Sequence, residues 1–301
     1  MTELGDFLRV RRAALQPADV GLRGYGARRV PGLRREELAM LAGVSATYYA
    51  RLEQGLSANA SEAVLDALAR ALELDTDERA HLLTLARTPA RRRARPRPDA
   101  IRPGVQRLIE SMPDTPAVVL GRRSEVLGWN ALGHRLVAGH LPFDSSHRPA
   151  ERPNLTRLLF LDAHTRELYP RWDDEAQRAV SSLRVLAGRS PDDDELTRLV
   201  GELTVQSPEF AQLWARHPVA VCVSGTKQLR HPEVGVLEVA FEVLSPPDDS
   251  GARVLFYTAE PGTSSAAALD LLRRGSPSEL RGPRPWTATV RAPGPTPPER
   301  P

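Results

Sequence analysis

The sequence predicts a two-part fold: an all-α head over residues 1–87 and an α+β domain over residues 101–275. Three observations predict it. Apolar residues in the first part recur at helical spacing, a Pro- and Arg-rich stretch interrupts the chain at 88–100, and short Val-rich alternating runs then appear among helical ones. The length of 301 residues accommodates about two domains of ordinary size.

In the head, Phe7, Leu8 and Leu15 form one apolar stripe and Leu38, Leu41 and Ala42 a second. Val64, Leu65, Leu68, Ala69 and Leu72 form a third, and Leu82, Leu83 and Leu85 a fourth. Ser61 is placed to cap the third helix, and Asp75 and Glu78, three apart, to form a capping box before the fourth. The stretch at 88–100 is read as a linker, because its prolines and like charges cannot build a packed helix. Its Arg91, Arg92, Arg93, Arg95 and Arg97 are either a solvated, self-repelling connector or an arm for a minor groove.

Beyond the linker, residues 116–120 and 125–129 flank a turn-like segment and read as a β-hairpin. Residues 153–215 read as helical, punctuated at Pro170, Pro191 and Pro208. Residues 219–229, 235–244 and 253–259 alternate as strands, and a final helix covers 264–274. This predicts an antiparallel five-stranded sheet with a helical insert. The tail at 276–301 has little to bury and is expected to be disordered.

Composition narrows the function classes. Hydrophobic residues make up 41% and charged residues 26%, ordinary for a globular protein. No run approaches the roughly 20 apolar residues that a membrane helix needs. The first residues lack a basic, then apolar, leader pattern, so no secretory signal is expected. Cys222 is the sole cysteine, which excludes an intrachain disulfide and fits a reducing cytoplasm. The seven histidines show no pair at metal-ligand helical spacing, so neither a metal nor a cofactor is expected. Residues 1–99 carry 17 Arg against 13 Asp and Glu, so the basic excess lies in the head.

The most informative segment is RREELAMLAGVSATYYARLEQG, residues 34–55. Ala39 is small where two helices would touch, and Gly43 can end the first with a positive φ. Val44 fills the corner beneath, and Ser45 can cap the second helix from Thr47 or Tyr48. Tyr49 and Leu52 then face inward, while Ala46, Thr47, Ala50 and Arg51 face outward. These residues at these spacings resemble the helix-turn-helix of repressor-like XRE-family regulators. The resemblance implies that residues 45–54 enter the major groove of double-stranded DNA with the N-terminal end, Ser45 and Ala46, leading, Thr47 and Arg51 on the base-reading positions and Tyr48 at the groove edge near phosphate. Arg51 could donate two bonds to guanine, worth ~1–3 kcal/mol of discrimination. Arg34 and Arg35 open the first motif helix, where phosphates are held. The resemblance also implies an Arg12–Glu53 pair. Leu56 departs from it, standing where a basic residue often follows the glycine. The link at 17–33 is longer than the family minimum, and its Arg23, Arg28 and Arg29 are either a phosphate-binding wing or a solvated loop.

The second part resembles the MmyB-like regulator ligand-binding domain. The segments that support this are VLGWN at 126–130, RLLFLD at 157–162, SPEF at 207–210, WARH at 214–217 and GTKQLRHPEVG at 225–235. The resemblance implies a PAS-like sensor that takes a small apolar ligand such as a fatty acid. Trp129, Phe160, Trp172, Phe210 and Trp214 are its large aromatics, and they either line a cavity or fill a core. Asn130 reads as a helix cap, and His217 and His231 as structural. Partners are therefore double-stranded DNA, the ligand and a second copy, because one helix-turn-helix reads few bases. Two other classes stay open: an enzyme built on 101–275, and a head that binds protein. The Ser224-x-x-Lys227 spacing matches a serine-hydrolase motif, but that chemistry needs it at a helix start, and here it falls between strand-like runs.

Overall fold

The computed structural model describes residues 2–22, 31–56, 60–86, 100–246 and 251–275. The arginines at 23, 28 and 29, those between 91 and 97, and the tail after 275 lie outside the described residues.

The head consists of α1 (Glu3–Ala14), α2 (Arg35–Leu41), α3 (Ala46–Glu53), α4 (Glu62–Ala71) and α5 (Thr76–Ala86). Its start signals act as the sequence suggests. Ser61 accepts from the Val64 N–H, and Asp75 and Glu78 exchange reciprocal bonds of 2.8 and 3.1 Å. Phe7, Leu8, Leu38, Tyr49, Leu52, Leu68 and Leu82 are all 0% exposed and form one core. One stripe residue is misplaced by the sequence reading. Leu41 turns outward, because α2 is short and its inward face is already filled by Leu38, Ala39 and Ala42.

The second domain opens with α6 (Pro103–Glu110), followed by β1 (Ala117–Leu120), β2 (Val126–Trp129) and α7 (Ala131–Ala138). The helical insert comprises α8 (Leu155–Leu161), α9 (Ala163–Leu168), α10 (Trp172–Arg189), α11 (Asp194–Gln206) and α12 (Pro208–Ala215). β3 (Ser224–His231), β4 (Gly235–Leu244), β5 (Arg253–Thr258) and α13 (Ser264–Arg274) close the domain. The five strands form one antiparallel sheet in the order β2-β1-β5-β4-β3. β1 is buried on both faces: Val118 and Leu120 meet the main core, and Ala117 and Val119 meet the layer under α6. Asn130 ties the hairpin to α7. Its Oδ1 caps Gly133 at 2.8 Å and accepts from the Ala117 N–H at 3.0 Å, while its amide donates to the Thr115 carbonyl at 2.7 Å.

The strand expected from 219 begins only at Ser224. Two of the preceding residues meet the head instead. Val219 packs into the head core, and the Val221 N–H donates to Asp77 on α5 at 2.8 Å. The two domains also meet along α10. Arg184, 1% exposed, donates to Glu3 at 3.0 Å and to the Trp214 carbonyl at 2.6 Å, and its guanidinium lies 3.5 Å from the Trp214 ring centroid. Arg11 of α1 donates to the His217 carbonyl at 3.0 Å. His81 of α5 sits against Gly188 of α10, where an added Cβ would come within 2.7 Å of the ring.

Candidate DNA-binding face and ligand cavity

α2 and α3 are joined by a tight corner. Gly43 has a φ of +66°, which lets the chain leave α2 and turn at once into α3. Ser45 accepts from the Tyr48 N–H at 3.1 Å and caps α3, and Gly55, at φ +72°, follows its other end. Tyr49 and Leu52 anchor the inner face of α3. Ser45, Thr47 and Arg51 are exposed, and Ala46, Tyr48 and Ala50 are half-buried beside them.

Beneath this face lies a charged network. Glu53, 4% exposed, accepts from Arg12 Nε at 2.7 Å and from Arg35 Nε at 2.6 Å. Arg12 also donates to the Leu33 carbonyl at 2.6 Å. Burial alone would raise the Glu53 pKa, but bonds from Arg12, Arg35 and Tyr49 outweigh it and hold the group below the ordinary carboxylate range. The pairing of Arg12 with Glu53 expected from the sequence is thus present, and Arg35 joins it. Arg35, which the sequence reading places at a phosphate, donates its Nε to Glu53 while 45% of its side chain stays exposed. Arg34 is exposed at the N-cap of α2, and its N–H is met by the Glu37 carboxylate at 2.7 Å.

In the second domain a cavity of about 610 Å³ lies between the sheet and the insert. β1, β4 and β5 contribute Leu120, Phe241, Val243, Leu255 and Tyr257. The insert contributes Leu155, Leu159 and Tyr169, together with one face of α10 from Glu175 to Arg189. Both the volume and the apolar walls with a few polar groups are usual for a small-molecule site. The polar groups of the lining include Arg122, Arg189, Arg253, Glu175, Arg178 and Lys227.

Two family models match this chain. A helix-turn-helix domain matches residues 3–82, and the MmyB-like transcription regulator ligand binding domain matches residues 101–272. The chain belongs to the MmyB-like regulators. No curated protein matches it at a significant level. This MmyB-like regulator is therefore a DNA-binding transcription regulator with a ligand-binding domain, and among its described residues no helix is long and apolar enough to cross a membrane.

For the DNA face of this regulator, the sequence placed the outward residues of α3 together, as the structure has them. For the ligand-binding domain it chose different residues from those that line the cavity. Trp129, Phe160, Trp172, Phe210 and Trp214 do not line it. Trp129 is 2% exposed in the sheet core and donates to the Phe143 carbonyl at 2.8 Å. Phe160 meets Trp172 and Phe210 edge to face at 5.4 and 5.1 Å, and Trp214 stacks on Phe210 at 5.7 Å. These rings fill the layer between α8, α10, α11 and α12, because a large ring gains most where it is enclosed on all sides. The residues that do line the cavity, such as Tyr169, Lys227 and Tyr257, carried only a weak sequence signal. Lys227 is the sole lysine in a chain that otherwise uses arginine.

Proposed function

We propose that this regulator binds specific double-stranded DNA through the outer face of α3 as a homodimer, and that a small apolar ligand in the cavity modulates it. Arg51 and Thr47 read bases from Ser45's end of the helix, Ala46 allows close approach, and Tyr48, Arg34 and Arg35 hold the backbone. The single observation that supports this reading most is the pattern of exposure on α3: Thr47 and Arg51 are exposed while Tyr49 and Leu52 are wholly buried. A fatty acid suits the cavity as an apolar chain with a polar end. Localisation in the cytoplasm and the absence of catalysis belong to the same reading. Ser224 and Lys227 lie on β3, so they lack the one-turn helical spacing that a Ser-x-x-Lys nucleophile requires.

The test is binding of full-length protein to its operator, found by footprinting upstream of its own gene, and to scrambled duplex. Arg51→Ala should lower operator affinity by about 1–3 kcal/mol and scrambled-DNA affinity much less. Equal loss on both would remove Arg51 from base reading. A dimer should protect two half-sites about one helical turn apart, and a single protected half-site would refute the dimer.

A further inference from the structure

The cavity is bounded on one side by the segment 217–223, which joins α12 to β3. Ala220, Val221, Cys222 and Val223 line the cavity and are also exposed to solvent, so the wall here is a single layer of chain. The far end of the segment is pinned to its own domain, where the Val243 N–H of β4 donates to the Val223 carbonyl at 2.7 Å. Three further holds come from the head. Arg11 of α1 donates to the His217 carbonyl at 3.0 Å, Val219 is 6% exposed in the head core, and the Asp77 carboxylate of α5 accepts from the Val221 N–H at 2.8 Å.

The contact that supplies these holds leaves much of its polar chemistry unmet. Eight buried side-chain polar atoms lack a hydrogen-bond partner among the described residues, and four of them lie here: Arg11 Nε, His81 Nε2, Arg184 Nε and His217 Nδ1. His217 also has a φ of +49°, in the left-handed region that favours glycine. Each unpartnered atom is a cost that the docked arrangement carries and that water relieves on opening. The bonds at His217 and Val221 and the burial of Val219 work against that cost. The segment is therefore held by a few groups of the head against a penalty built into the same contact.

Resting on the reading of this cavity as the ligand site, we infer that residues 217–223 are a strap that the docked head holds across the cavity, and that a ligand passes it when the head lets go. The linkage runs both ways. Releasing the head loosens the strap and frees the ligand to leave, and a ligand seated against Ala220 and Val221 favours the closed strap and so the docked head. Thr47 and Arg51 stay exposed while the head is docked, and the polar contacts come from α1 and α5. Docking thus fixes where the recognition helix points and leaves its outer face uncovered.

The test uses the full chain, with the apolar fluorophore anilinonaphthalene sulfonate as the cavity probe. Amide hydrogen exchange is followed in residues 219–223 and in the first turn of α5, and probe release by stopped flow. Asp77→Ala removes the acceptor of the Val221 N–H, and exchange in 219–223 and probe release should each quicken about tenfold. Asp77→Asn keeps an oxygen acceptor there and should bring both back to within about threefold of the parent, which a general weakening of α5 by loss of its charge would not do. In the parent, bound probe should slow exchange at the start of α5 as well as in 219–223, and in Asp77→Ala only in 219–223. Unchanged exchange in Asp77→Ala shows that the head does not hold the strap, and faster exchange with unchanged probe release shows that the strap is not the way in. Either result overturns the inference and leaves the cavity as a ligand site. Failure of the probe to bind parent and variants alike removes the cavity reading itself and the inference with it.

Discussion

Glu53 shows how one side chain can fix a surface without belonging to it. Its carboxylate is buried under the recognition helix and receives guanidinium groups from α1 and α2. Removing the charge leaves Arg12, 8% exposed, without its counterion. Breaking one half of a buried pair costs about 3–5 kcal/mol, far more than an exposed bridge is worth. Glu53→Gln should therefore lower the stability of the head by an amount of that order, read from denaturant melts, while Glu195→Gln on the exposed face of α11 should be near neutral. Similar losses from both substitutions would show that the network is not structural. Arg12 and Glu53 were legible in the sequence because both fall on motif positions. The share taken by Arg35 was not, since it depends on how α2 lies over α3.

At the scale of elements, α10 decides most of the architecture. Ala176, Val180 and Leu183 face the helical layer, a second face lines the cavity, and Arg184, Val185 and Gly188 meet the head. Val185 both lines the cavity and packs against the head core. A helix shared in this way gives the cavity a short physical route to α1 and α5, and its contents can bias the head only if they favour one arrangement of that contact. Arg184→Met keeps the buried stem but removes the bonds to Glu3 and to the Trp214 carbonyl. Amide hydrogen exchange in α1 and α5 should accelerate in this variant, with the β-sheet unchanged. Unchanged exchange in both helices would show that Arg184 does not hold the contact. Sequence periodicity identified the segment as helical but not its three faces, because both apolar faces of a helix satisfy the same spacing.

For the whole molecule, the contact between the domains has a pH dependence with a definite sign. His81 and His217 are buried there, 4% and 8% exposed, and burial first, then the charge of Arg184, lowers each pKa from 6.5 to about 4. Both rings are neutral in the folded protein at pH 7. The unfolded chain takes up protons through 6.5 and the folded one does not until about 4, so their contribution is complete above 6.5 and is lost as pH falls towards 4. Melting temperature should therefore drop between pH 7 and pH 5, before carboxylates such as Glu53 protonate. His81→Gln with His217→Gln should flatten the slope in that interval. A slope unchanged by the double substitution would place the titration elsewhere.

The sequence by itself determined the two domains, the family, the corner at Gly43, the cap at Ser45 and the outward face of α3. These follow from neighbours within a turn or two, where residue type and spacing act directly. Only the tertiary structure decided which side chains line the cavity, that Phe160, Trp172, Phe210 and Trp214 fill a separate layer, and that Val219 and the Val221 N–H meet the head. The reason is physical. An apolar residue gains about as much free energy in any enclosed site, so hydrophobicity says that a residue is buried but not against what. That choice is made only when the chain brings distant segments together, as it does for Glu175 and Lys227, which lie 52 residues apart.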